Sequence, residues 1–221
     1  YKTSAQAPGW LRELGLDCYE YQCGKGVHVG EDTARRIGAA AREHGITLSL
    51  HAPYFISLSG VEPEKRLGSL RYIRRSVEAA KLLGAHTIVI HAGSAAKISR
   101  EEAMALARDT LARVADEFSD CGVVLGIETM GKVNQLGTLD EVIGLCRVAP
   151  CFSPVVDFGH LNARNIGGFF VTPDDYRRVF DAIGSRLSDD HAKYLHCHFS
   201  KIEYTKAGEK RHLTFADTVF G

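Results

Sequence analysis

Five short apolar runs in this sequence each end in a side chain able to ligate a metal ion. Leu48-Ser49-Leu50-His51 and Ile88-Val89-Ile90-His91 end in histidine, Leu125-Gly126-Ile127-Glu128 in glutamate, and Pro154-Val155-Val156-Asp157 in aspartate. Tyr194-Leu195-His196-Cys197-His198 carries two histidines on one face, since alternate residues of a strand point the same way. A lone His or Asp at a strand end is ordinarily a hydrogen-bonded structural group. With 27 acids and 10 histidines among 221 residues, five consecutive strand ends of this kind would arise by chance roughly a few times in a thousand if they line one barrel rim. Imidazole and carboxylate together suit Zn²⁺, and also Mn²⁺ or Fe²⁺. His160 follows Asp157 by three residues, and the polar stretch Lys206–His212 holds Glu209 and His212. By themselves these are a loop histidine and solvated loop charges. Beside the other five runs they raise the candidate ligands above four, which predicts two or three metal ions rather than one.

Such a cluster needs elements that bring distant residues to one rim. Helical periodicity covers Ala7–Leu14, Glu31–His44, Pro63–Leu83, Arg100–Phe118, Leu139–Val148 and Pro173–Leu187. Strand-like runs cover Asp17–Gln22, Thr47–His51, Thr87–His91, Val123–Glu128, Ser153–Asp157 and Tyr194–Phe199. Ser99 with Glu102 has the spacing of a capping box, and Thr172-Pro173-Asp174-Asp175 supplies an N-cap, a proline at the first helical position and first-turn acids. Gly15, Gly45, Gly84 and Gly122 follow helices or apolar turns where a left-handed C-cap favours glycine. Strict alternation of strand and helix argues for a parallel sheet, and continuous apolar strands argue that both faces are covered. A dinucleotide-binding sheet would carry GxGxxG after its first strand, and no such run occurs. The expectation is therefore an α/β fold, a (β/α)8 TIM barrel forming a single domain over residues 1–221. Six strands are found where such a barrel needs eight in ~250 residues, so the first strand and the last strand with its helix are expected to be missing from this chain.

Composition narrows the partners. Basic and acidic residues balance at 27 each, mild evidence against extended phosphate contacts, although bound cations would add positive charge. No apolar run approaches the ~20 residues of a membrane helix, and the expectation is a soluble, cytoplasmic monomer. The six cysteines lack CxxC spacing and read mostly as reduced, buried small hydrophobes.

The segments Leu50-His51-Ala52-Pro53-Tyr54, Ile90-His91-Ala92-Gly93-Ser94, Gly126-Ile127-Glu128-Thr129, Val156-Asp157-Phe158-Gly159-His160 and His196-Cys197-His198-Phe199-Ser200-Lys201 resemble endonuclease IV, the apurinic/apyrimidinic endonucleases within the xylose-isomerase-like barrels. The resemblance runs in order over essentially the whole chain. It implies a trinuclear zinc site that hydrolyses the phosphodiester 5′ to an abasic sugar in DNA. On that basis His51 and His91 would hold one metal, and Glu128 would bridge it to a second shared with Asp157 and His196. His160, Glu209 and His212 would hold the third. The family's acid and histidine at the last pair stand two apart, whereas Glu209 and His212 stand three apart. Its Asn-Asp pair is replaced by His198-Phe199, so that His198 would replace or supplement a ligand, and its final glutamate has no counterpart here. Glu128 would also be catalytic, orienting or deprotonating a water whose pKa the metals lower. DNA contacts would come from Lys25 in the Gly24-Lys25-Gly26 loop and from Tyr54 and Phe55, as wedges beside a flipped nucleotide. Lys97, Lys132, Arg164, Lys201, Lys206, Lys210 and Arg211 lie in predicted rim loops, within reach of phosphates.

The main alternative is a sugar isomerase or epimerase on the same barrel. It would share Glu128, Asp157, His160 and His196, bind one or two divalent ions, and move a proton between adjacent carbons. His51 together with His91 discriminates, because a mononuclear site does not need both. A non-catalytic metal-binding scaffold is the third reading.

Overall fold

Thr47–His51 is apolar on alternate positions and ends in the imidazole that starts the site; it forms strand β2 and sits beside β1 (Cys18–Gln22) in a parallel sheet. The computed structural model describes residues 2–220. In the same sheet follow β3 (Thr87–His91), β4 (Val124–Glu128), β5 (Phe152–Asp157) and β6 (His196–His198), in the order β1-β2-β3-β4-β5-β6, each neighbouring pair parallel. This is the curved, partial (β/α)8 barrel that the alternation predicts. The outer helices are α2 (Glu31–His44), α3 (Pro63–Leu83), α4 (Arg100–Phe118), α5 (Leu139–Cys146) and α7 (Pro173–Arg186), with a short α1 (Ala7–Glu13) before the sheet.

Leu48, Leu50, Ile88, Ile90, Leu125 and Ile127 are buried and pack with Ile37, Ile73, Val77, Leu111 and Val114 of the helices. Residues one position away, among them His51, Glu128 and Asp157, therefore face the inner side of the sheet. The period-2 pattern thus builds the core and aims the polar ends in one step.

Helix boundaries follow the sequence signals. The capping boxes at Ser99/Glu102 and Thr172/Asp175 are both formed, and Gly15, Gly45, Gly84 and Gly122 all take positive φ. Three features differ from the expectation. Helix α6 (Phe158–Arg164) starts directly after β5, capped by Asp157. A five-residue helix α8 (Asp189–Lys193) precedes β6, which is shorter than the Tyr194–Phe199 run. Most consequential, the stretch read as a polar loop is the antiparallel hairpin β7 (Lys201–Thr205) and β8 (Gly208–Leu213). All six cysteines are free thiols, but only Cys23, Cys121 and Cys146 are buried, while Cys18 and Cys197 on the edge strands are exposed. No helix among the described residues is long and apolar enough to cross a membrane.

The β4–α5 connection is held by Arg100 and Glu141. Arg100 donates to both oxygens of Glu141 and to the carbonyls of Val133 and Gln135, and Glu141 accepts from the amides of Gly137 and Thr138. Burial pushes the Glu141 carboxyl up, but Arg100 and the two amides outweigh it and bring it down to about 2. A folded-state pKa below the unfolded value gives stability that is present above the unfolded pKa and lost as pH falls toward the folded one. Glu141→Gln should therefore lower stability at pH 7 by about 1–2 kcal/mol after allowance for solvent screening. In thermal melts the wild-type advantage should shrink as pH falls below 4.5 toward 2; a gap independent of pH would refute this role.

Candidate metal centre

His51, His91, Glu128, Asp157, His160, His198, Glu209 and His212 all line one open cavity of ≈ 860 Å³ at the carboxyl ends of the strands. Register explains the inner ring. His91 lies opposite Glu128 across β3–β4, and Asp157 opposite His198 across β5–β6. Glu128 is central and buried. Its Oε2 lies 3.4 Å from His51 Nε2 and 3.3 Å from His91 Nε2, while its Oε1 lies 2.8 Å from His198 Nδ1. Asp157 uses Oδ1 to cap α6, accepting from the His160 amide at 2.8 Å, and leaves Oδ2 3.9 Å from His198 Nδ1. His160 Nε2 lies 3.5 Å from Glu209 Oε2 and 3.3 Å from His212 Nε2.

The hairpin carries the last two ligands inward. The Glu209 amide donates to the Gly131 carbonyl, and the Val133 amide to the Ala207 carbonyl, which ties β8 to the β4–α5 connection. Arg164 donates to the carbonyls of Met130, Lys132, Val133 and Gln135 and holds that connection from the other side. Arg164 is thus structural rather than a phosphate contact. Lys201 is bound to the Asp217 carbonyl, and Lys210 and Arg211 pair with Glu203 at the surface while staying largely exposed. Lys132 remains at the cavity.

The rings are oriented for ligation. His51 Nδ1 is 2.8 Å from the Ala52 carbonyl and His160 Nδ1 is 2.8 Å from the Thr129 carbonyl, so each donates there and turns Nε2 to the centre. His212 Nδ1 likewise meets Ser200 Oγ at 2.9 Å. Glu128 Oε2 is buried without a hydrogen-bond partner. His51 and His91 Nε2 face that oxygen at 3.4 and 3.3 Å without a hydrogen bond, an arrangement that a cation or protons standing between them would stabilise. Four ligand groupings among the described residues meet the spacing of a metal site: His51–His91–Glu128, Glu128–Asp157–His198, Asp157–His160–His212 and, at the β1–β6 edge, Glu20–His196–His198. The residues fit a multinuclear divalent centre.

The electrostatics agree. Burial pushes Glu128 up, yet His198, His51 and His91 outweigh it and hold its carboxyl well below the usual range. Burial pushes His198 down, but Glu128 and Glu20 outweigh it and carry it up to about 10. Burial likewise lowers His51 while Glu128 raises it, and the net direction is upward.

His196 departs from the expectation. It stands opposite Val155, two residues before Asp157, and contacts Glu20 instead of Asp157 and Glu128, although with Glu20 and His198 it keeps metal-ligand spacing. A ligand at the end of a short strand must be level with its neighbours' last residues, and in β6 that residue is His198. Glu20, which sequence reasoning missed, lies mid-strand in β1. A charged residue on the inner face of a strand was the signal available. Tyr54 covers the cavity, its ring stacked on His91 at 5.3 Å and its hydroxyl donating to Gln22. Phe55 instead packs edge-on against Tyr72 beside a second cavity of ≈ 580 Å³, and Lys25 is an exposed residue of the β1–α2 loop outside either lining.

The family model described as "Xylose isomerase-like TIM barrel" matches residues 8–220. An uncharacterized protein of Methanocaldococcus jannaschii is 33% identical over 219 residues, 95% of this chain and 76% of that protein. A protein of Acholeplasma laidlawii named "Probable endonuclease 4" is 32% identical over 126 residues, 52% of this chain and 43% of its own length. The matched stretch thus spans less than half of that relative. Among solved structures, a 3-keto-D-glucoside 4-epimerase from E. coli superposes with a TM-score of 0.68 at 18% identity, covering 90% of this chain and 74% of that one. That likeness shows the fold alone.

Proposed function

The chain belongs to the xylose isomerase-like TIM barrel family, and from that premise we propose that it is a zinc-dependent phosphodiesterase that cleaves DNA 5′ to abasic sites. Shared ligands carry the proposal: Glu128 belongs to two of the metal-spaced groups and Asp157 to two, the arrangement of adjoining ions rather than of one. The sequence likeness to the Acholeplasma protein supports it from another direction.

In this reading His51, His91 and Glu128 hold one ion, Glu128, Asp157 and His198 a second, and Asp157, His160, His212 and Glu209 a third. Bound ions would lower the pKa of water, neutralise phosphoryl oxygens and stabilise the leaving alkoxide. Glu128 orients the attacking water and accepts its proton. Asp157 and His160, fixed by backbone contacts, keep the ligands from swinging as charge develops. Tyr54, 55% exposed above His91, offers a stacking face beside the scissile bond, and Lys25, Phe55 and Lys132 are the further groups we assign to DNA.

A duplex oligonucleotide with one abasic site should be nicked 5′ to the lesion, and EDTA should abolish the nick by at least about 10³-fold, the scale expected when metal-activated water is lost. Persistent failure of the metal-loaded protein to cut would end the repair assignment. A sugar isomerase or epimerase is the alternative. About three zinc ions per chain by elemental analysis would favour the phosphodiesterase, and a single Mn²⁺ or Mg²⁺ the isomerase.

A further inference from the structure

We propose that Glu20 is the positioning residue of this centre: it holds His198 with a proton on Nε2, so that Nδ1 is the ligand of the ion shared with Glu128 and Asp157. The proposal rests on the multinuclear reading above and adds a residue to it. His51, His160 and His212 each have one ring nitrogen engaged away from the centre, by a carbonyl or a hydroxyl, and the other aimed inward. His198 follows the same rule with a stronger partner. Its Nε2 lies 3.1 Å from both carboxylate oxygens of Glu20, and its Nδ1 lies 2.8 Å from Glu128 Oε1.

Glu20 is itself fixed. Its Oε2 accepts from Ser49 Oγ at 3.0 Å and meets His196 Nε2 at 3.0 Å, while its Oε1 accepts from Gln22 Nε2 at 3.1 Å. Glu20, His196 and His198 also stand at metal-ligand spacing, and the contrast with Glu128 decides between a ligand and a positioning role for Glu20. Glu128 has a buried oxygen with no hydrogen-bond partner, as a ligand would, whereas both oxygens of Glu20 are already supplied with donors. A saturated carboxylate behind a histidine orients the ring and raises its basicity as a ligand. His196, which the rim of Asp157 and Glu128 does not use, helps to hold Glu20 in place.

The test is metal binding, read apart from activity. Zinc affinity of the wild type, Glu20→Ala and Glu20→Gln would be measured by competition with a chromophoric chelator, with total metal from elemental analysis and Co²⁺ absorption as the probe of ligand geometry. Glu20→Ala should weaken one of the bound ions about 10–100-fold, change the Co²⁺ spectrum, and leave the other ions in place. Glu20→Gln keeps an acceptor without charge and should fall between. It also decides the matter if Glu20→Ala does not fold. Wild-type affinity and an unchanged Co²⁺ spectrum in both variants would overturn the proposal while leaving the metal centre intact. A wild type that binds no zinc would instead remove the reading on which it rests.

Discussion

Glu128→Gln should abolish abasic-site incision, by at least about 10³-fold from loss of the proton acceptor and shared ligand together, without unfolding the protein. The side chain is buried and central, so a large structural cost would ordinarily follow. The geometry limits that cost. In the metal-free protein, where His198 is protonated, Oε1 accepts from its Nδ1, a bond that the glutamine carbonyl can keep. The amide NH₂ would take the place of Oε2, where His51 and His91 present Nε2 at 3.4 and 3.3 Å. It would there face the two imidazoles in place of an oxygen that has no hydrogen bond. The metal-free melting temperature should fall, because the carboxylate that favours the charged forms of His198 and His51 is lost, while the surviving Oε1 bond keeps the variant folded. What should vanish is the increase in melting temperature on adding zinc, since a ligand stabilises only the state that binds it. Wild-type incision by this variant, or an undiminished thermal response to zinc, would remove Glu128 from the centre of the chemistry.

Residues that the sequence made legible are those in which one pattern sets both packing and direction. In β2, β3 and β4 the alternate apolar residues Leu48/Leu50, Ile88/Ile90 and Leu125/Ile127 bury against the helices, which forces His51, His91 and Glu128 to the inner rim. Asp157 and His160 were legible as ligand types three residues apart, but the link between them was not: α6 starts there, with the Asp157 side chain accepting from the His160 amide. Where burial does not dictate conformation, the reading fails. Strand β6 leaves Tyr194 72% and Phe199 56% exposed, so its ends, and the choice between His196 and His198, depended on the register against β5. Glu20 escaped notice because ligands were sought at strand ends, and its position is set by the curl of the sheet that brings β1 toward β6. That closeness is a property of the tertiary structure, invisible in local sequence.

The hairpin was missed for the same reason, and it yields the second large effect. Its strands, Lys201–Thr205 and Gly208–Leu213, contain few buried residues, Ile202 and Gly208 among them, so no period-2 pattern marks them. They are held by backbone bonds to the β4–α5 connection, and Gly208 is the point of closest approach. It has φ +86°, and a Cβ there would stand 2.2 Å from the Gly131 carbonyl oxygen. Gly208→Ala must displace backbone, and Glu209, the next residue, would move from His160. The expected result is loss of one metal ion and a fall in incision of about 100-fold, the scale for a misplaced reacting group, with the other ions retained. Gly168→Ala is the control. Gly168 is also left-handed at φ +71°, but nothing lies within 4 Å of its added Cβ, so it should cost only about 1–2 kcal/mol of backbone strain and keep all the metal. If both variants lose the ion equally, or neither does, the hairpin does not deliver ligands. If only Gly208→Ala loses it, a two-stranded ribbon with almost no core of its own is what completes the site.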